Sequence, residues 1–280
     1  MMQPRYAVFG QPISHSLSPR IHAAFGTQFG IDVDYRAIES GRAGFDRALA
    51  AFADDDGRGA NVTLPLKEDA ATRCSSLSDR ARRAGSVNTL VRQGDHWHGD
   101  STDGIGLLRD LRERQQLDPI GRRVLLLGAG GAARAAAFAL IDAGIAELLI
   151  ANRSIDRAHS LRTLIDDSVR VDFSGMSELA SLPAFDLIVN ATSAGHSDAP
   201  LDLPFTLTAA TTVCYDLSYA KAAQAFLSWA RASGAGIVCD GLGMLVEQAA
   251  ESFSIWHNHR ADTAPVYAEL RAMLSAENGT

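Results

Sequence analysis

The chain is poor in cysteine. Cys74, Cys214 and Cys239 are its only three in 280 residues. They are odd in number, far apart and without CxxC spacing, which argues against a disulfide framework and a zinc site. No metal is expected. Long apolar runs are also missing: the longest strictly apolar or glycine run, residues 124–133, falls far short of the roughly 20 residues that cross a bilayer. Residues 1–10 carry one arginine but neither an apolar core segment nor a small-residue cleavage pattern, so no secretory signal is expected. These absences make the cytoplasm the expected compartment and leave no membrane partner. A basic surplus is absent too. With 26 Lys+Arg against 33 Asp+Glu and a net charge of -7, the chain has no excess with which to grip a nucleic-acid backbone. Small anions held by local basic pockets stay compatible with that charge.

What is present is an ordinary globular composition, 46% hydrophobic, at a length that suggests roughly two domains. Apolar runs at 6–9, 33–38 and 60–63 read as strands, with helices between them through Ile21, Ala24, Phe25 and Phe29 and through Phe45, Leu49 and Phe52. This is a βαβ rhythm. Ser18 is the expected N-cap of the first helix, with Pro19 at its first position. A charged helix is expected near 78–84, a hairpin over 87–92 and 96–99 around Gln93-Gly94-Asp95, and a helix opening at Asp103. After a break at 121–123 a second alternation begins. Its expected strands are 124–127, 147–151, 169–173, 186–190, 212–216 and 236–239, and its helices 132–143, 155–165 and 222–233. The uninterrupted apolar strands suit a parallel sheet covered on both faces. Two final helices, 242–256 and 265–274, have no strand after them and are expected to pack back on the first domain.

Gly128-Ala129-Gly130-Gly131-Ala132-Ala133 follows an apolar strand and opens a helix, matching the GxGxxG/A fingerprint in its required context. Gly128 permits the tight turn, Gly130 lets backbone approach a pyrophosphate, and Ala133 keeps helix and strand close. The next strand ends in Asn152-Arg153-Ser154, followed by Arg157, with no carboxylate at its tip to take a ribose 2'-OH. Arg153 and Arg157 can instead clamp a 2'-phosphate, and Ser154 can cap the helix and donate a hydrogen bond, so NADP is expected over NAD. The competing reading is a solvated basic helix start.

Polar residues at strand ends of the first half mark a substrate site. Ser14, Ser16 and Ser18 place hydroxyls beside a helix start, suited to a carboxylate, although Ser18 could serve as a cap alone. Asn61, Thr63 and Lys67 end a strand with an amide, a hydroxyl and an amine. A lone lysine is usually a solvated charge. Asn88 within an apolar strand and Asp103 in a Gly-rich loop are each ambiguous singly. Gln248 lies four residues after Met244 on one helix face, where an exposed glutamine would be the commoner finding.

Through residues 10–19, 61–67, 85–89, 100–104, 128–132, 152–154, 190–193 and 240–249, in that order, the chain resembles the shikimate/quinate dehydrogenase family over nearly its whole length. The resemblance implies reduction of 3-dehydroshikimate to shikimate with NADPH, in aromatic amino-acid biosynthesis. It implies that Ser16 and Ser18 hold the substrate carboxylate, that Thr63, Asn88, Asp103, Tyr219 and Gln248 bind its hydroxyls, and that Lys67 and Asp103 form the catalytic pair. Thr192, Leu217, Gly241 and Met244 are carried over as cofactor contacts beside residues 128–132, 152–154 and Arg157. Ser14, Ser154 and Leu217 stand where the family often has Ala, Thr and Met; none removes a needed group.

The expected fold is therefore α/β: a substrate-binding α/β domain at 1–103, a Rossmann-type doubly wound NADP-binding domain at 104–240, and C-terminal helices at 241–280 that return to the first domain. Partners are a small-molecule substrate and, at most, a second copy in a homodimer. Three rival readings remain at this point: a quinate/shikimate enzyme using NAD, a non-catalytic NADP-binding regulator, and a folate-linked dehydrogenase of related architecture.

Overall fold

The computed structural model of the chain describes residues 4–159, 161–162, 169–193, 195 and 202–278. They form two compact units, Met1–Gly106 with Val246–Thr280, and Leu107–Leu245. No described helix is long and apolar enough to cross a membrane.

In the first unit, β1 (Arg5–Gly10), α1 (Ser18–Gln28), β2 (Asp34–Glu39), α2 (Phe45–Asp54), β3 (Gly57–Val62), α3 (Lys67–Arg73), β4 (Ser76–Leu77), α4 (Asp79–Ala84), β5 (Thr89–Gln93) and β6 (His96–Asp100) lead to α5 (Asp103–Glu113). The sheet order is β2-β1-β3-β5-β6-β4. β1 pairs in parallel with β2 and β3, and the β5–β6 hairpin continues the sheet antiparallel from β3. Strand alternation divides the core between the two faces. Ala7 and Phe9 of β1 pack with Phe45, Phe52 and Trp97, while Tyr6 and Val8 pack with Tyr35 and Ile13.

In the second unit, β7 (Arg123–Leu127), α6 (Gly131–Asp142), β8 (Glu147–Asn152), α7 (Ile155–His159), β9 (Arg170–Gly175), β10 (Leu187–Asn190), β11 (Val213–Asp216), α8 (Gln224–Ala232) and β12 (Ile237–Cys239) build an all-parallel sheet of order β12-β11-β10-β7-β8-β9. That is the doubly wound order, with its switch point between β7 and β10. Both faces of β7 are covered: Val124 and Leu126 meet Ala133, Ala136 and Leu140, and Leu125 and Leu127 meet Phe226 and Trp229. The last helices are α9 (Leu242–His257) and α10 (Thr263–Asn278). From Val246 onward the chain belongs to the first unit, where the Trp256 indole N–H donates to the Leu90 carbonyl at 3.0 Å.

Four details correct the sequence reading. Ser18 is not the cap of α1: Leu17 holds that position, and Ser18 begins the helix with Pro19 next. Ser18 is instead buried close to the Tyr35 phenol. Asn88 lies just before β5 rather than inside a strand, because Thr89 is the first residue to join the ladder. Helix α3 and the two-residue β4 have no counterpart in the sequence reading; Ala70 is the only buried residue of α3, too little to make an apolar stripe. Of the helix expected at 155–165, α7 accounts for 155–159, and residues 160 and 163–165 lie outside the described ones.

Candidate active site

Lys67 opens α3 and Asp103 opens α5. The Lys67 ammonium donates to Asp103 Oδ2 at 2.5 Å, and the two side chains are 16% and 5% exposed. The other Asp103 oxygen accepts from Asn88 Nδ2 at 2.9 Å. That nitrogen also lies 2.8 Å from Thr102 Oγ1 and 3.1 Å from Gln248 Oε1, and Asn88 Oδ1 accepts from the Thr102 N–H at 2.7 Å. The Asn88 amide is thus locked in one orientation, its nitrogen facing oxygens and its oxygen facing an N–H. Four substrate candidates, Lys67, Asn88, Asp103 and Gln248, share one network, and a charge-assisted bond holds the lysine. Gln248 is buried, not the exposed helix residue it could have been.

The network continues to the serines. Ser18 lies close to Tyr35, whose phenol donates to Asn61 Oδ1 at 2.8 Å, and Asn61 Nδ2 donates to the Asn88 carbonyl at 3.1 Å. Ser16 Oγ accepts from the Ser18 N–H at 3.3 Å. Thr63 stands at the end of β3, its N–H bonded to the Phe9 carbonyl, where Gly10 leaves room for its methyl group. Tyr219 belongs to the second unit, where it precedes a 3-10 turn at Ala220–Ala223.

His22 also meets Asn61 Oδ1, at 3.2 Å, and stacks on Tyr35 with ring centroids 4.4 Å apart. Because Asn61 Nδ2 faces three oxygens, Oδ1 is the acceptor and the proton of His22 sits on Nε2. Nδ1 has no partner. Burial pushes the imidazole down to about 3, against a partial opposing effect of the Asn61 bond. A base kept neutral when folded contributes stability above its unfolded value near 6.5, lost as pH falls toward 3. Wild type is therefore expected to lose about 2 kcal/mol through His22 between pH 6.5 and 5. Urea unfolding of His22→Gln across that window should be flatter than wild type; parallel curves would remove His22 as the source.

A second clamp fixes the loop before Asp103. The Arg80 guanidinium grips both oxygens of Asp100 at 2.7 and 2.8 Å and reaches Glu251 of α9 at 3.4 Å. Asp100 also accepts from the Ser101 N–H at 2.7 Å and the Ser78 hydroxyl, and its carbonyl accepts from the Asn88 N–H. Its carboxyl sits below the usual range, burial opposing and the Arg80 and Ser78 bonds prevailing.

In the second unit the parallel strands bring Gly128, Asn152, Asn190 and Asp216 to one sheet edge. Gly128 has φ +110, and a side chain there would strike Ala191 and Thr192. A side chain at Gly130, by contrast, would enter open space. Gly130 caps α6 without a side chain, so the N–H groups of Gly131 and Ala132 face that space with the positive end of a 12-residue helix. Asn152 Nδ2 bonds the Ser154 carbonyl at 2.9 Å, and Arg153, Ser154 and Arg157 are exposed around it. Thr192 follows β10, and the Leu217 N–H bonds the Asn190 carbonyl at 2.8 Å. The Gly241 N–H bonds the Ser218 carbonyl at 2.8 Å, and the Met244 N–H bonds Tyr215 Oη at 3.2 Å. An open glycine cradle at a helix start, with two arginines beside the next strand end, fits a phosphorylated dinucleotide.

Three family models match in register with this architecture: "Shikimate dehydrogenase substrate binding domain" over 8–90, "Shikimate / quinate 5-dehydrogenase" over 111–198 and "Shikimate 5'-dehydrogenase C-terminal domain" over 241–271. Shikimate dehydrogenase (NADP(+)) of Xanthomonas euvesicatoria pv. vesicatoria is 57% identical over 270 residues, 96% of this chain and 95% of that one. The chain belongs to the shikimate dehydrogenase family. Among solved structures, the family's enzyme from Thermus thermophilus, in complex with shikimate, is 33% identical with a TM-score of 0.83, covering 97% of this chain and 99% of that one. The 5-ketofructose reductase of Gluconobacter sp. strain CHM43, in ligand-free form, is 30% identical with a TM-score of 0.83 and covers 98% and 99%. The same fold thus serves another substrate, and the substrate of a family member has to be argued from its site.

Sequence reading missed His22, Tyr35, Thr89, Thr102 and Ser252 as members of the network. Two signals were available. His22 follows Ser18 by four residues on α1, and Ser252 follows Gln248 by four on α9, where its hydroxyl bonds Thr89 at 2.8 Å.

Proposed function

We propose that this chain interconverts 3-dehydroshikimate and shikimate with NADP(H), a step of aromatic amino-acid biosynthesis. The observation that carries the reading is the Lys67–Asp103 hydrogen bond inside the Asn88–Gln248 network, in a chain 57% identical to an enzyme of that name. When bound, NADPH supplies the hydride that reduces the ketone. Ser16 and Ser18 hold the substrate carboxylate, and Thr63, Asn88, Tyr219 and Gln248 take its hydroxyls. Lys67 gives a proton to the oxygen as alkoxide charge develops, and in the reverse direction its neutral amine removes that proton. Asp103 orients Lys67 and a substrate hydroxyl. Gly128, Ala129, Gly130, Gly131 and Ala132 would hold the pyrophosphate, Asn152, Arg153, Ser154 and Arg157 would hold the 2'-phosphate, Leu217 would wall the nicotinamide, and Thr192, Gly241 and Met244 would be further cofactor contacts. We place the enzyme in the cytoplasm, as a monomer or homodimer. Its cysteines form no disulfide among the described residues, and burial pushes the thiols of Cys74 and Cys214 up to about 12, which keeps those two unreactive.

The test is a kinetic matrix of shikimate and quinate against NADP and NAD. Highest efficiency with shikimate and NADP is expected. A wild-type protein that binds both without turnover defeats the proposal and favours the regulatory reading; preference for NAD favours the quinate/shikimate one. Removing both arginines, Arg153→Ala with Arg157→Ala, is expected to raise KM for NADP about 100-fold, since each charge-assisted bond contributes roughly 1.5 kcal/mol or more. KM for shikimate should hold. An unchanged NADP preference would mean that the two arginines are only a solvated helix start.

A further inference from the structure

The buried carboxylate of Asp216 has no part in the proposed chemistry. It ends β11 directly beside Asn190, the last residue of β10, and is 1% exposed. Among the described residues no cation pairs with it. Dipoles hold it instead: Asn190 Nδ2 donates to Oδ2 at 2.8 Å and the Ser218 N–H donates to Oδ1 at 2.7 Å, one donor on each oxygen. Asn190 in turn accepts through Oδ1 from the Thr192 N–H at 3.2 Å and the Thr192 hydroxyl at 2.8 Å. Ser218 accepts through its carbonyl from the Gly241 N–H. One carboxylate therefore ties together the loops that leave β10 and β11 and the start of α9, at the sheet edge where ligands of this strand order bind.

We propose that Asp216 is a positioning residue for the dinucleotide: by holding Asn190 and Ser218 it fixes the two loops that present Thr192 and Leu217 to the cofactor. The proposal rests on the NADP reading above. Its working form is the ionised one, because each carboxylate oxygen faces a donor and a carboxylic acid would set its own O–H against one of them. Burial pushes the group up to about 7; the Ser218 and Asn190 bonds oppose that, and the charge of Asp240, between β12 and α9, adds to it. Dinucleotide affinity accordingly follows ionisation of Asp216 across neutral pH.

The experiment is a titration of the full-length protein with NADPH, without substrate, read by NADPH fluorescence from pH 6 to 8. A group titrating at about 7 makes the apparent dissociation constant about tenfold weaker at pH 6 than at pH 8. The 2'-phosphate of NADPH titrates near 6 in every protein tested, so the comparison is with Asp216→Asn. That amide turns an NH2 toward donors: its affinity at pH 8 is expected to be about tenfold weaker, and only the phosphate's pH dependence should remain. Asn190→Ala removes one donor while keeping the carboxylate, and should move the midpoint of wild type upward. Shikimate affinity of both variants is expected to hold. Equal pH profiles for wild type and Asp216→Asn, an unmoved midpoint in Asn190→Ala, or a parallel loss of shikimate binding overturns the positioning role. Absence of NADPH binding by wild type at pH 8 would overturn the cofactor reading as well.

Discussion

Replacing Lys67 by alanine is expected to cut turnover about 1000-fold and to leave shikimate bound. General acid–base catalysis by a placed side chain contributes roughly 100- to 10,000-fold, and a 1000-fold loss corresponds to about 4 kcal/mol of barrier. The rest of the site survives the change, because Asp103 keeps its Asn88 bond and Asn88 keeps Thr102 and Gln248. Only the proton donor leaves. Lys67→Met retains the apolar stem and should behave like alanine, which separates loss of the amine from loss of packing. Lys67→Arg should not restore the oxidation direction, since a guanidinium does not give up its proton to become a base. Steady-state kinetics in both directions with calorimetric shikimate binding decide the matter. Turnover near wild type would remove Lys67 from the mechanism; lost binding with unchanged kcat would make it a binding residue.

How much of this was legible in the sequence depended on how locally each feature is specified. β7 could be read directly, since a strand covered on both faces is apolar at every position, and its switch into α6 is written in glycine. The β5–β6 hairpin was equally open, with Gly94 supplying φ +60 at the turn. Helix α3 was hidden because it is short, polar and held by the segment between α4 and β5, its Lys67 carbonyl accepting from the Val87 N–H. Ser18 misled for a different reason: a serine before Pro19 satisfies every local rule for a cap, and Tyr35, beside which it is buried, is 17 positions away in sequence. The same holds for the site. Lys67 and Asp103 are ambiguous singly and became legible through the motifs around them, 61–67 and 100–104, but His22, Tyr35, Thr89, Thr102 and Ser252 acquire meaning only when the sheet brings them to Asn61 and Asn88.

That dependence makes Asn61→Ala the most damaging single change expected within the first unit. Asn61 is 5% exposed, and its side chain serves five partners: Oδ1 takes the Tyr35 phenol and the His22 ring, and Nδ2 reaches the Asn88 carbonyl, Thr89 and Ser252. Alanine leaves the Tyr35 O–H and the His22 Nε2–H buried without acceptors, at roughly 1–3 kcal/mol each, and the vacated volume adds to the loss. A total of about 3–5 kcal/mol follows. The Asn88 carbonyl still accepts from the Val62 N–H, so the strand pairing there persists while the side-chain support of Asn88 weakens. Turnover should therefore fall by about tenfold or more in the protein that remains folded, with KM for shikimate rising as Asn88 and the Ser18–Tyr35 contact lose register. Trp256, 5.2 Å from His22 by ring centroid, should report the unfolding of this unit by its fluorescence. Asn61→Asp is the sharper control. It keeps the acceptor for Tyr35 and His22 but turns a carboxylate oxygen toward the Asn88 carbonyl, so it should be destabilised as severely as alanine despite its identical shape. Stability within about 1 kcal/mol of wild type for either variant would mean that the network is decoration on a core that holds without it.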